Sequence, residues 1–403
     1  MEEKRPITIL CLASEYKGIP FLYECKRQGC RVILVAAQAT AEDPWPWDVI
    51  DEHFYMPDLS AQPDITYAIS YLMRTRSIDR IIALDDYDVA TAASLREHLR
   101  LPGMGESTAR HFRDKLAMRM RAQEAGVLVP AFTPLFNHAR VEAYLSQVAP
   151  PWVLKPRFEA GAIGIRKLDT SQAVWQALAE LGDQQSFYLL EQFVPGDVFH
   201  VDSLIWQGEV VFALASGYGV PPLAVAHGGG IFTTQVLPRS DEQTETLLRL
   251  NAELVRELGQ KRGAMHTEFI RGEDGRFYFL ETAARVGGAN IDKMVEAATG
   301  ISLWAEVARL EIADIRQQPY TLPPYRQEYA GLITCLARQK HPDLTAYTDA
   351  EIVWRLEKEY HAGLLVASPF ADRVTELLTS YTTRFAQDFL AVQPPKQDVR
   401  HTI

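Results

Sequence analysis

Glu268 and Glu281 are the residues whose types and spacing first suggest chemistry. They fall in the stretch HTEFI-RGEDG-RFYFLE, where two alternating apolar and polar runs flank a Gly-rich turn, the pattern of a β-hairpin. With Gly272 to Gly275 as a four-residue loop, Arg271 opposes Arg276, Glu268 lies across from Phe279, and Glu281 sits one diagonal further on the same face. The two carboxylates are then roughly 7–8 Å apart or somewhat less. Like charges held so close repel unless a cation lies between them. Hard oxygen ligands at this spacing suit Mg²⁺, which takes one or two carboxylates and completes its shell with phosphate oxygens and water. A solvated outer face is the competing reading, and a one-residue slip in register would separate the carboxylates.

Positive charge follows closely. Arg285 comes four residues after Glu281, and Gly287 and Gly288 then open a helix, whose free backbone N–H groups receive anions. Upstream, Lys155 interrupts the apolar strand WVLKP, and Lys115 lies on a helix with Leu116, Met118 and Met120. A lysine in an apolar strand needs an anionic partner or must lose its proton. Phosphate oxygens would serve; the alternative is a side chain that snorkels to the surface. The stretch FEAGAIG after Lys155 supplies Gly161, Ala162 and Gly164, small enough for mobile backbone to fold over phosphates. Metal, arginine and backbone N–H groups together describe a phosphate or acyl-phosphate site. His227 and the three glycines after it either shape a substrate pocket or form a structural turn. The sequence has no GxxxxGK[ST], HExxH, GxSxG or paired CxxC, which excludes P-loop NTPases, zincins, α/β-hydrolases and zinc ribbons.

The elements that must position these residues follow from pattern and composition. The 403 residues are 47% hydrophobic and 23% charged, ordinary globular usage with room for two to four domains. A net charge of −11 argues against a broad nucleic-acid surface. Cys11, Cys25, Cys30 and Cys335 show no regular spacing and read as buried thiols of a reducing compartment. MEEKRP followed by a short apolar run is too charged for a signal peptide, and no run approaches the length of a membrane span, so a cytoplasmic protein is expected. ITILCLA (7–13), RVILVAA (31–37) and IDRIIALDD (78–86) read as buried parallel strands, with helices near 64–76 and 87–99, the makings of a doubly wound α/β domain. No GxGxxG follows a strand. Ser14 and Asp85 to Asp88, beyond the strand ends, line a cleft or are loop residues with no ligand. A long helix runs from an N-cap at Ser107 to Gly126, and strands and turns fill 151–215. A Gly- and Pro-rich loop covers 216–235, a helix lies near 241–259, and a helix after ARVGG closes at Gly300. The final stretch reads as a small α+β piece whose last helix carries Val374, Leu377, Leu378, Tyr381, Phe385 and Phe389.

The succession of a small α/β domain, LPGMGESTARHFRDKLAMRMRAQEAGVLVP, WVLKPRFEAGAIGI, LLEQFVPGD and HTEFI…YFLETAARVGG resembles the ATP-grasp superfamily over roughly residues 7–310. Each motif is weak alone; the ordered set is specific. The resemblance implies a mixed α/β and α+β architecture: a Rossmann-like pre-ATP-grasp domain (1–105), a core (106–320) holding ATP between subdomains around 110–190 and 191–320, and a C-terminal piece (321–403). It further implies that Lys115 and Lys155 contact the α- and β-phosphates and that Gly161, Ala162 and Gly164 belong to the loop over the γ-phosphate. Glu191, Gln192, Phe193 and Val194 would form the hinge that reads adenine, by the Glu191 side chain and the backbone of Gln192 and Val194. Glu268 and Glu281 would bind Mg²⁺, and Arg285 would stabilise the transferring phosphoryl group.

Two departures from the family pattern stand out. At the second metal position the sequence reads Glu281-Thr282-Ala283, where relatives commonly carry Glu-x-Asn. After the hinge comes Gly196-Asp197-Val198 in place of Gly-x-Glu, so Asp197 or His200 must take the ribose hydroxyls. His200-Val201-Asp202 resembles the His-Val-acidic run of biotin carboxylases. The leading expectation is an ATP- and Mg²⁺-dependent ligase that activates a small-molecule carboxylate as an acyl phosphate and joins it to an amine or thiol, such as an amino-acid or dipeptide ligase. A biotin-carboxylase-like enzyme and a non-catalytic ATP-binding protein are the alternatives. Nucleic acid and membrane are not expected as partners; oligomeric state stays open, homodimers being common for α/β domains of this type.

Overall fold

The computed structural model describes residues 5–392, apart from the side chain of His227. Its first part is a parallel sheet of β1 (Thr8–Ala13), β2 (Arg31–Ala37), β3 (Glu52–Met56) and β4 (Arg80–Ala83), in the order β3-β2-β1-β4. Helix α1 (Ile19–Arg27) connects β1 to β2, α2 (Asp64–Leu72) connects β3 to β4, and α3 (Asp88–Leu99) follows β4. Both faces of this sheet are buried. Ile9, Cys11, Val32 and Leu34 point into one core, and Leu10, Leu12, Ile33 and Val35 into another, which is why β1 and β2 are apolar at successive positions. The edge strand β3 was not expected from the sequence, because EHFYM is half exposed and lacks an apolar run. All four cysteines are buried free thiols, and burial pushes each of them above the ordinary thiol range.

The middle part begins with α4 (Glu106–Arg113) and α5 (Lys115–Glu124), followed by β5 (Phe132–Pro134), α6 (His138–Gln147), β6 (Trp152–Pro156), β7 (Arg166–Leu168), α7 (Ser171–Leu181) and β8 (Tyr188–Gln192). The expected single helix is thus two, and its N-cap is Gly105 in place of Ser107. Asp114 makes the break. It is extended, caps α5 by accepting from the Leu116 N–H, and receives Arg157 on both carboxylate oxygens. The Lys115 N–H meanwhile bonds to the Arg157 carbonyl at 2.9 Å. Lys115 therefore starts a helix docked on the end of β6, and a helix running through Asp114 would place it elsewhere.

The remainder comprises β9 (Gly196–Trp206), β10 (Glu209–Tyr218), α8 (Pro222–Gly228), β11 (Phe232–Val236), α9 (Glu242–Leu258), β12 (Arg262–Gly272), β13 (Phe277–Ala283), α10 (Ile291–Thr299) and α11 (Leu303–Ile315). It closes with β14 (Tyr329–Leu336), β15 (Ile352–Arg355), β16 (His361–Ser368) and α12 (Ala371–Asp388). β5, β8, β6 and β7 form one antiparallel sheet; the other eight strands form a second, in the order β13-β12-β9-β10-β11-β14-β16-β15. The strands after residue 321 extend that sheet through the β11–β14 pairing. The stretch expected as one loop over 216–235 holds α8, with Pro at its first turn, and β11, where FTTQV suits a strand. Among the described residues no helix is long and apolar enough to cross a membrane.

The crossover from one sheet to the other turns on Gly196. Its φ is 152°, and a Cβ there would stand 2.0 Å from the Arg271 carbonyl oxygen, a backbone atom that cannot swing aside. Gly196→Ala should therefore destabilise the protein by about 2 kcal/mol or more. The check is a lower urea midpoint with unchanged m-value; an unchanged midpoint would show that β9 and β12 are less tightly apposed than described.

Candidate functional site

A cavity of about 410 Å³ opens between the two antiparallel sheets, and Lys115, Lys155, Gly161, Ala162, Glu191, Gln192, Phe193, Val194, Glu268, Glu281, Arg285 and Gly288 all line it. Five segments supply the expected charged groups: α5 gives Lys115, β6 Lys155, β12 Glu268, β13 Glu281, and the segment after β13 Arg285; Asp86, Arg113, Glu159 and Glu191 line the cavity as well. The loop between β6 and β7 bends over one side. Gly161, Ala162 and Gly164 all have φ between 63° and 68° there, the region in which glycine is unstrained.

The carboxylates are closer than loop counting gives. The Gly272 N–H bonds to the Arg276 carbonyl, so Arg271 pairs with Phe277, one residue later than expected. A bulge between Glu268 and Phe269 then shifts the register again, and Glu268 pairs directly with Glu281 while Phe269 pairs with Phe279. Directly opposed side chains in an antiparallel sheet have Cβ atoms about 4.5–5.5 Å apart. Each carboxylate is compensated separately. Glu281 faces the Lys115 ammonium at 3.3 Å, and Glu268 accepts from the Tyr218 hydroxyl at 2.8 Å with His266 3.5 Å away. Burial would raise the Glu268 carboxyl, but His266 and Tyr218 together hold it below its usual range. Burial would likewise depress His266, yet its bonds to Asp202 and the nearby Glu268 lift it to about 9.

Lys155 is 3% exposed and its partner is already in the protein. Glu191, also 3% exposed, pairs through one oxygen with Lys155 and through the other with Arg119, which is fully buried. Burial pushes Lys155 down to about 8, with Glu191 opposing the shift. Glu191 itself would be raised by burial, and Arg119 and Lys155 hold it low. The expectation that the Glu191 side chain reads adenine is corrected here, since both of its oxygens are committed to cations. The Gln192 N–H is spent as well, on the Ala131 carbonyl at 2.7 Å.

Further expectations change for similar reasons. His200 cannot reach a ligand in the cavity: it is fully buried, with Nδ1 on Asp202 and Nε2 on Thr234. Asp197 is exposed, and strand alternation turns it away from the cavity that Gly196 and Val198 line. His200, Asp202 and His266 bring three metal-competent atoms within 4.8 Å of one another, but these groups already bond to each other and need no ion. Gly287 and Gly288 precede α10 by several residues, the helix being capped by Asn290, so they form a turn and not the helix N-terminus. Ser14, Asp85 and Asp88 are taken up locally, Ser14 donating to Asp88 and Lys17 pairing with Asp85. Only Asp86 of that group reaches the cavity, between Arg113 and Arg285. Arg113, Arg119, Tyr218 and His266 escaped sequence reading. For His266 a signal existed: it stands two residues before Glu268 and so on the same strand face. His227 lies in α8, and its side chain is outside the described residues.

A parallel sheet beside two antiparallel sheets that enclose lysines, facing carboxylates and an arginine is the arrangement of the ATP-grasp fold, and the chain is similar to ATP-grasp enzymes in sequence and in fold. In sequence it is 27% identical over 283 residues to the L-arginine-specific L-amino acid ligase of Bacillus subtilis, covering 68% of this chain and 67% of that one. In structure it is similar to an L-amino acid ligase from Bacillus licheniformis, with a TM-score of 0.75 and 18% identity over 98% of this chain and 100% of that one. It is also similar to an N5-carboxyaminoimidazole synthetase from Staphylococcus aureus complexed with ADP, with a TM-score of 0.70 and 15% identity over 94% and 98%. No family model matches the sequence.

Removing one member of the buried triad tests its role as described. Glu191→Gln leaves Arg119 and Lys155 without their anion and should cost about 3–5 kcal/mol, seen as a fall in the urea midpoint at pH 7. A variant as stable as the parent would mean that the triad is hydrated and only weakly coupled.

Proposed function

We propose that the protein is an ATP-dependent ligase that activates the carboxylate of an amino acid as an acyl phosphate and joins it to the amine of a second small molecule. The observation that carries the reading is the convergence of Lys115, Lys155, Glu268, Glu281 and Arg285, from five separate elements, on one cavity. The amino-acid ligases among the sequence relatives and structural neighbours support the substrate class. We also assign residues 1–105 to a pre-ATP-grasp domain, 106–320 to the core and 321–403 to a closing piece. The buried free thiols fit a cytoplasmic setting.

In this reading Lys115 and Lys155 hold the α- and β-phosphates, and Gly161, Ala162 and Gly164 cover the γ-phosphate. With the Gln192 and Phe193 N–H groups bonded to the Ala131 and Pro151 carbonyls, the hinge offers backbone to adenine at Val194. A carboxylate oxygen of the first substrate attacks the γ-phosphorus and ADP leaves; Arg285 stabilises the charge on the moving phosphoryl group. The neutral amine then attacks the acyl carbon and phosphate departs, the amine proton passing to solvent or to that phosphate. No side-chain base is required. Glu268 and Glu281, directly opposed and each holding only one oxygen in a protein contact, fit a divalent cation, which would screen the phosphate charge. Ala283 pairs with His266 and offers no side-chain oxygen where the family pattern has Asn, which favours one tightly held ion. The biotin-carboxylase reading is the less specific one, and the His200 run that suggested it is buried, with both ring nitrogens bonded to Asp202 and Thr234.

ADP release from Mg-ATP should require both an amino acid and an amine-bearing acceptor, and Glu281→Gln should slow it by about 100-fold or more with the fold intact. Release driven by bicarbonate and biotin, or tight ATP binding without turnover, would replace this reading. Nucleotide affinity should also carry the signature of Lys155. The ammonium that faces phosphate is present below pH of about 8 and lost above it, so ADP binding should weaken as pH rises from 7 to 9.5 in calorimetric titrations. Lys155→Arg, charged throughout, should flatten that profile; an identical slope in both would remove Lys155 from phosphate binding.

A further inference from the structure

A polar network runs from the cavity wall inward, and of its members the reaction as described uses Glu268 alone. His266 and Glu268 alternate along one face of β12, and β9, paired with it, places Asp202 opposite His266 and His200 opposite Glu268. One Asp202 oxygen binds His266 Nδ1 at 2.9 Å and the other binds His200 Nδ1 at 2.7 Å. The far side of His200 meets the Thr234 hydroxyl on β11 at 2.7 Å. Asp202 and His200 are at most 1% exposed, and the Asp202 bridge therefore fixes the His266 ring plane. The other His266 nitrogen, Nε2, comes out of this network 3.5 Å from Glu268 Oε1, the same oxygen that accepts from Tyr218 at 2.8 Å. Tyr218 is itself held, its ring packed on His200 and Phe232.

We propose that Tyr218 and His266, anchored by Asp202 and His200, are positioning residues that immobilise Glu268 through Oε1 and so present Oε2 to the divalent cation. The inference rests on the reading above in which Glu268 is a metal ligand. Two protein groups converge on one oxygen of a glutamate whose partner across the sheet is another glutamate. Without them the Glu268 side chain would rotate away from Glu281 to relieve repulsion, and ordering it again would weaken metal binding. Outer contacts of this kind commonly carry 10- to 100-fold in metal affinity. The network is also a floor for the segment that bears Arg285. A Cβ on Gly287 would stand 2.6 Å from Asp202 Oδ1 and 3.0 Å from His266 Nδ1, so that turn lies directly on the Asp202–His266 bond, and metal ligand and phosphoryl-stabilising arginine share one support.

The test is Mn²⁺ binding to the ADP-saturated full-length protein, followed by electron paramagnetic resonance, beside metal-free ADP affinity and thermal melting of each variant. Tyr218→Phe removes only the hydroxyl, and His266→Asn keeps a donor for Asp202 but withdraws the group facing Glu268. Each should weaken Mn²⁺ on the order of 10-fold or more while metal-free ADP affinity stays within about twofold of the parent. His266→Gln, whose amide reaches the Nε2 position, should lie nearer the parent. Mn²⁺ affinities equal to the parent's in Tyr218→Phe and His266→Asn would overturn the positioning role. A parent protein that binds ADP but no Mn²⁺ would overturn the metal-site reading and the inference with it, an outcome distinct from the first.

Discussion

Two carboxylates paired directly across an antiparallel sheet are the constraint on which the rest of this structure depends. Opposed like charges destabilise a sheet, and Glu268 and Glu281 are brought into that position by a bulge that moves the register by one residue. The surroundings are arranged around this repulsion. Lys115 reaches Glu281 because Asp114 ends one helix and starts another against β6. Tyr218 reaches Glu268 from β10, across the intervening β9, and His266 reaches it from the same strand. The unused oxygens remain turned to a cavity that also holds Lys155 and Arg285.

The same trade of stability for chemistry recurs at Lys155. A lysine and an arginine share one glutamate, all three at most 3% exposed, and such buried groups are generally no more stabilising than apolar replacements. The arrangement keeps an ammonium beside the cavity close to its own neutralisation point, ready to gain from any anion that arrives. The protein carries a net charge of −11, so positive potential has to be concentrated. Lys115, Lys155, Arg113 and Arg285 are gathered at a single cavity, each placed there by a carboxylate beside it.

Much of this was legible in the sequence, for identifiable reasons. Strands β1 and β2 are buried on both faces and therefore read as unbroken apolar runs; β3, half exposed at the edge, left no such trace. Lys155 stood out because a lysine in an apolar strand is physically costly. Its partner did not, because Glu191 is remote in sequence and looked like a reader of ligand. The break at Asp114 was invisible because it depends on Arg157, more than forty residues away. His200 misled because its spacing matched a ligand-facing run, whereas three-dimensional packing gave both of its nitrogens to protein partners. Local patterns conveyed element types, while charge pairing between distant segments decided which side chains remained free to act.

In the proposed function the opposed glutamates hold a divalent cation against the nucleotide phosphates. The most direct measurement is anomalous diffraction from crystals of the protein with ADP and Mn²⁺. A peak is expected between Glu268 and Glu281, about 2.0–2.3 Å from an oxygen of each and in contact with the β-phosphate. A peak confined to the His200, Asp202 and His266 cluster, or bound ADP with no metal at the glutamates, would contradict it.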